Sequence, residues 1–203
     1  MIANHYDHIA MLNDEQISVP EYYAQILEAS EKLQFNMPSD LKTGSLLRTL
    51  VASKPSGHFL DIGTGTGLSL AWMAEGANES SRIISIDINA EFQQIALDTF
   101  SEDLRISIVC ADGNEWLTFY DGEEFDLIFA DAMPGKFEVL DQTLALLKVG
   151  GYYLIDDLLP QPNWPEGHAP RVEKLIETLK KRSDFVHSTL NWSTGLMLFT
   201  KIK

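Results

Sequence analysis

Apolar positions follow two rhythms along this chain. Compact apolar runs at 58–62, 82–87, 105–110, 125–130 and 151–156 predict buried strands. Between them, 68–76, 90–101, 113–119 and 136–148 space their apolar residues as helices do. Strand and helix in turn predict a mainly parallel sheet covered on both faces. Two helical periods precede the first strand. One spans 21–33, with Tyr22, Tyr23, Ile26, Leu27 and Leu33; the other spans 40–52, with Leu41, Leu46, Leu47, Leu50 and Val51, and is stopped by Pro55 and Gly57. The end of the chain differs. A helix near 168–182 is followed by strands at 185–191 and 196–202, separated only by Trp192-Ser193-Thr194-Gly195. A parallel crossover needs a dozen or more residues, so these strands form an antiparallel hairpin. Residues 1–20 are polar and irregular up to Pro20 and read as an arm, leaving 21–203 as a single domain.

Charge narrows the partners. Thirty acidic residues against 15 basic give a net charge of −15. Such a surface repels phosphate backbones and anionic lipid, so neither nucleic acid nor a membrane is an expected partner. A small neutral or cationic substrate fits better. No apolar run approaches the ~18 residues of a membrane span. The opening residues also lack the basic stretch and apolar core of an export signal. With one cysteine, Cys110, no internal disulfide forms, and a cytoplasmic protein is expected. Cys110 ends an apolar run and is expected to be a small buried hydrophobe.

The most informative stretch is Phe59-Leu60-Asp61-Ile62-Gly63-Thr64-Gly65-Thr66-Gly67-Leu68-Ser69. A strand runs into three alternate glycines and then into a helix start, the arrangement that cradles nucleotides against free helix N–H groups. A dinucleotide loop would be G-x-G-x-x-G, but here the spacing is G-x-G-x-G and position 68 is Leu. This pattern resembles motif I of the class I S-adenosylmethionine (SAM) dependent methyltransferases. Their Rossmann-like fold, a seven-stranded mostly parallel sheet closed by a C-terminal antiparallel hairpin, matches the α/β order above. The resemblance runs from about residue 37 to the C-terminus. It implies SAM as cofactor, with Asp61 facing the cationic methionine end. Ser69 matches a family serine that binds the cofactor carboxylate at a helix N-terminus. Asp87, about twenty residues beyond the loop, is a ribose ligand in SAM and dinucleotide proteins alike. Asp112, in Ala111-Asp112-Gly113, is similar to the Asp that holds the adenine amino group, and it also suits a helix cap. The segment from Met37 to Leu47 is similar to one that lies over the cofactor.

Ligands in open α/β sheets bind beyond the carboxyl ends of the strands. The fourth strand ends on Asp131, and the fifth on Asp156 and Asp157. If those strands are neighbours, the carboxylates converge and repel, and a divalent cation turns repulsion into ligation. All-oxygen ligands suit magnesium, calcium or manganese, and no Cys/His cluster suggests zinc. The cation-dependent O-methyltransferases of the catechol and caffeoyl-CoA type carry an Asp and an Asp-Asn pair here. Asp131 and Asp156 match in kind, while Asp157 replaces the Asn. A family lysine three residues after the first Asp serves as general base. Here that position is Pro134, and Lys136 is the nearest lysine. Trp164, in a proline-rich stretch, offers a wall or lid over the substrate, and His168 starts the last helix.

The expectation is thus a metal-assisted, SAM-dependent O-methyltransferase acting on a small hydroxylated molecule. The family also implies a homodimer. A metal-independent methyltransferase, a non-catalytic SAM-binding protein and, more remotely, an NAD-dependent oxidoreductase remain open at this point.

Overall fold

A computed structural model describes residues 17–203, so the first sixteen residues of the expected arm lie outside it. Residues 17–20 are irregular but docked. Ile17 packs against the core, Pro20 is buried, and the Ser18 carbonyl accepts from Arg48.

The described elements are α1 (Tyr23–Lys32), α2 (Leu41–Ala52), β1 (His58–Ile62), α3 (Leu68–Gly76), β2 (Arg82–Asp87), α4 (Ala90–Thr99), β3 (Ile106–Cys110), α5 (Gly113–Phe119), β4 (Phe125–Ala130), α6 (Leu140–Ala145), β5 (Leu147–Ile155), α7 (His168–Lys180), β6 (Phe185–Leu190) and β7 (Leu196–Lys201). They build one seven-stranded sheet in the order β3-β2-β1-β4-β5-β7-β6. The first five strands are parallel, and β7 runs antiparallel to both β5 and β6.

Strand periodicity decides the layers, because successive side chains point to opposite faces. Phe59, Leu127, Phe129 and Leu154 pack on one face with Ile26, Leu47 and Trp72 from α1, α2 and α3. Leu60, Ile128, Tyr153 and Ile155 pack on the other with Leu117, Leu144 and Leu175 from α5, α6 and α7. At the centre, β1 is buried along its whole length. Gly44 lets α2 meet α3: a Cβ there would overlap the Trp72 indole. No helix among the described residues is long and apolar enough to cross a membrane.

Two expectations need correction. The helix predicted over 136–148 shrinks to Leu140–Ala145, and β5 starts at Leu147. Apolar spacing there mimics a helix, but Gly135 (φ +76) and Val139 (φ +46) break it upstream. Downstream, Leu147 pairs with Phe125 before a register shift next to Gly150 (φ +82). Cys110 is exposed, not buried. It ends β3, the outermost strand on its side of the sheet, where burial is partial throughout.

Candidate active site

The sheet order reverses direction at β1, whose neighbours are β2 and β4, and a crevice opens beyond the carboxyl ends of these strands and β5. It holds a cavity of about 580 Å³, within the range of small-molecule sites.

Glycine geometry shapes its floor. Gly63 (φ +107) leaves β1 in the left-handed region, and a Cβ there would lie 2.8 Å from the Asp131 carbonyl oxygen. Only glycine lets the loop pass that close to the end of β4. The Gly63 and Thr64 N–H groups both donate to the Ile86 carbonyl, and Gly65 N–H donates to Asp87 Oδ2 at 2.8 Å. Asp87 Oδ1 accepts from Asn89 N–H, and Asn89 caps α4. Asp87 is thereby fixed at the cavity wall with acceptor capacity to spare. Phe35 lies over Gly65 and meets Phe92 edge to face at 5.0 Å.

Beneath the loop lies a buried polar network. Asp61 is fully buried and accepts from Ser69 Oγ at 3.2 Å and from Ser85 Oγ at 2.7 Å. Burial pushes its carboxyl up to about 7; the two serine donors oppose the rise, and the Asp87 charge adds to it. Ser69 faces the cavity, whereas Asp61 and Gly67 sit behind its lining. No side chain caps α3, so its first-turn N–H groups point out beside Ser69.

The far end of the cavity gathers Asp131, Asp156, Asp157 and Lys136. Asp131 N–H donates to the Ile62 carbonyl, and Asp156 N–H to that of Ala130, which locks both strand ends together. Asp156 Oδ1 accepts from Asp157 N–H and from the Thr194 hydroxyl, which reaches in from the β6–β7 link. Asp157 takes a left-handed backbone (φ +58). Both Asp131 and Asp156 are held above the usual carboxylate range, first by burial; the neighbouring carboxylates add to this and the Lys136 charge opposes it.

Lys136 reaches this group through a tight turn. Gly135 N–H donates to the Glu138 carbonyl, and the buried Tyr153 hydroxyl donates to the Gly135 carbonyl at 2.7 Å. The lysine is 4% exposed, with its ammonium 5.7 Å from the Phe137 ring centre. Phe137, Trp164 and His168 form an aromatic wall, with ring centres 4.8 to 5.2 Å apart at His168. Burial, then the Lys136 and Arg171 charges, pull the His168 imidazole down.

Two further expected cofactor residues lie at the edge of this cavity or outside it. Met37 lines the rim but is largely exposed. Asp112 caps α5 by accepting from the Asn114 and Glu115 N–H groups, and it does not line the cavity. Thr194, Phe35, Phe92 and Thr64 line it without having been singled out from the sequence. The three strand-end aspartates share a cavity, yet among the described residues no three such side chains gather closely enough to form a ready-made metal cage. Their donor chemistry is nevertheless all oxygen, as a hard cation requires.

Known proteins share this architecture. A protein of Mycolicibacterium vanbaalenii, provisionally named an O-methyltransferase, is 31% identical over 117 residues, covering 55% of this chain and 52% of its own length. The chain thus spans about half the length of the curated relatives it matches. Among solved structures, the O-methyltransferase TomG of Streptomyces achromogenes, in complex with SAM, superposes with a TM-score of 0.80 at 21% identity, covering 93% of this chain and 92% of its own. An O-methyltransferase of Bacillus cereus in complex with S-adenosylhomocysteine (SAH) gives 0.78 at 17% identity, covering 93% and 94%. Residues 14–202 match the sequence profile described as O-methyltransferase, and with nearly its whole length matched the chain belongs to that family.

Proposed function

We propose that this protein is a SAM-dependent O-methyltransferase acting on a hydroxyl of a small molecule, assisted by a divalent cation. The observation that carries the reading is the continuity of one cavity. It joins the glycine bed and Asp87 to the half-buried Asp131 and the buried Asp156 and Lys136.

When bound, the cofactor supplies a methyl group on a positively charged sulfur. The chain's own residues hold and orient. Gly63 and Gly65 let backbone approach the cofactor, Asp87 accepts from its ribose hydroxyls, and the aromatic wall of Phe137 and Trp164 excludes water from the acceptor. Asp131, Lys136 and the aromatic wall would hold a substrate hydroxyl at the end of the cavity away from Asp87, where the methyl group would be taken up. Lys136 would take up the hydroxyl proton after passing its own to solvent. Asp131 and Asp156 would hold a divalent cation, with Asp157 adjacent; its chemistry there is to lower the pKa of a substrate hydroxyl.

A second reading is favoured by two observations: the buried Lys136 charge already acts on Asp131 and Asp156, and among the described residues no three-ligand cage is formed. In that reading transfer is metal-independent. The net charge of −15 supports a neutral or cationic acceptor under either reading.

Calorimetric titration with SAH and with NAD is the first test. SAH binding without NAD binding is expected, and failure to bind SAH overturns the proposal. Methyl transfer from labelled SAM to a catechol panel follows, with magnesium and with EDTA. Turnover indifferent to EDTA removes the cation and leaves the second reading.

A further inference from the structure

Tyr153 lies on β5 in the same core layer as Leu60, Ile128 and Ile155, and none of its surface is exposed. A phenylalanine would fill that space with no hydroxyl to satisfy. Burying a hydroxyl costs stability unless it finds a partner. This one donates to the Gly135 carbonyl at 2.7 Å, eighteen residues upstream, and the residue that follows Gly135 is Lys136.

The turn around Gly135 is pressed against the end of β1, where a Cβ on that glycine would lie 2.7 Å from Ile62 Cδ1. Gly135 N–H donates to the Glu138 carbonyl, and Phe137 N–H donates back to the Met133 carbonyl, which closes the turn. On the other side of Lys136, Phe137 meets His168 edge to face at 5.2 Å, and the Arg171 guanidinium lies 4.9 Å from its ring centre. Lys136 thus has a fixed neighbour on each side. It lines the cavity at 4% exposure, and its ammonium makes no hydrogen bond or ion pair with any described residue. With no such contact at its tip, its place in the cavity is set from the backbone end, by the turn.

We propose that Tyr153 is a positioning residue for Lys136: its hydroxyl, by holding the Gly135 carbonyl, keeps the lysine ammonium at the acceptor end of the cavity. This inference rests on the methyl-transfer reading above, in which Lys136 takes up the hydroxyl proton. Without the Tyr153 hydroxyl the buried Gly135 carbonyl has lost its donor. An unpaired interior carbonyl is costly, so the 135–136 peptide turns toward water, and the lysine turns with it.

Tyr153→Phe removes one oxygen and keeps the ring. The first readout needs no turnover: reductive methylation with formaldehyde and dimethylamine–borane, followed by mass spectrometry of the lysine peptides. In the wild type, Lys136 should label about tenfold or more slowly than the exposed Lys32, because a buried ammonium reacts only when its surroundings open. Equal rates overturn the proposal, and this comparison requires no variant. In Tyr153→Phe the Lys136 rate should rise about tenfold, the weight of one buried hydrogen bond. Lys148, paired with Asp126 at the opposite end of β5, should label as before. An unchanged Lys136 rate overturns the proposal. So does an equal rise at both lysines, which would mean that the hydroxyl supports the fold and not the lysine. With labelled SAM and an acceptor from the catechol panel, kcat of Tyr153→Phe should fall about tenfold with the KM for SAM unchanged. In the Lys136→Met background the same substitution should cost nothing further; multiplied losses would show that the two side chains act independently, and would overturn the proposal. If the wild-type protein binds no SAH, the methyl-transfer reading falls and the role in transfer with it, a result distinct from any change in labelling rate.

Discussion

Asp61 makes the stability of this fold depend on pH. Its carboxyl is ordinary in the open chain, near 3.8, and is pushed to about 7 in the fold by burial that Ser69 and Ser85 only partly offset. The folded protein therefore holds a proton that the unfolded chain has released. Stability from this group is fully present below about pH 4 and is lost as pH rises through about 7. A rise of this size, at ~1.4 kcal/mol per pH unit, amounts to about 4 kcal/mol, a large part of the ~5–15 kcal/mol that holds a domain together. Asp131 and Asp156 are raised in the same direction, so the wild-type profile alone does not isolate Asp61. The difference between wild type and Asp61→Asn does. Asn is nearly isosteric, accepts from the same serines and does not titrate. Urea unfolding of both proteins from pH 4 to 8, without ligand, should show the variant gaining on the wild type by about 4 kcal/mol across that window. Parallel profiles would refute the reasoning, since they would mean that the hydroxyl donors keep Asp61 ionised throughout.

Other outcomes follow from the same geometry. Asp131→Ala should abolish methyl transfer from labelled SAM while changing SAH affinity by less than about threefold, because Asp131 lies at the acceptor end. Lys136→Met keeps the buried stem and removes the charge; kcat should fall by about 10²-fold or more, with SAH binding by calorimetry retained. Gly44→Ala forces a methyl group into the Trp72 indole and should lower stability in urea by about 1–3 kcal/mol. Thr194→Val strips a donor from Asp156, and steady-state kinetics should show turnover reduced with the KM for SAM little changed.

The central motif was legible because each part of it is local. Three apolar positions, Phe59, Leu60 and Ile62, make a strand, three alternate glycines make the turn, and the contact of Gly63 with the end of β4 only confirms what the spacing demanded. The elements around Lys136 were not legible in the same way. Phe137, Leu140, Leu144 and Leu147 fall at helical spacing, and the turn that breaks the helix is held by the Tyr153 hydroxyl, a contact between segments eighteen residues apart. Cys110 misled for a related reason: an apolar run reads the same in a central strand as at an edge, and strand order is a tertiary fact. Thr194 and Tyr153 carry no motif at all. Their meaning comes from what the fold sets beside them, a strand-end aspartate in one case and a loop carbonyl in the other.

The electrostatics of the cavity constrain any mechanism run there. Asp87, Asp131, Asp156 and Asp157 line it, Asp61 lies just behind, and Lys136 is the single basic side chain of Lys or Arg type among the described lining residues. Such a site welcomes a cofactor that brings positive charge. The same site resists an ionised substrate oxygen, because an oxyanion beside Asp131 and Asp156 meets like charge in a poorly solvated place. The two carboxylates already respond to that conflict in the free protein by holding their protons more tightly than usual. Productive transfer therefore needs a compensating positive charge at this end of the cavity. Lys136 offers one from the chain itself, and a divalent cation on Asp131 and Asp156 would offer a larger one. The EDTA experiment thus asks which positive charge the oxyanion meets, and the presence of one is required in either case.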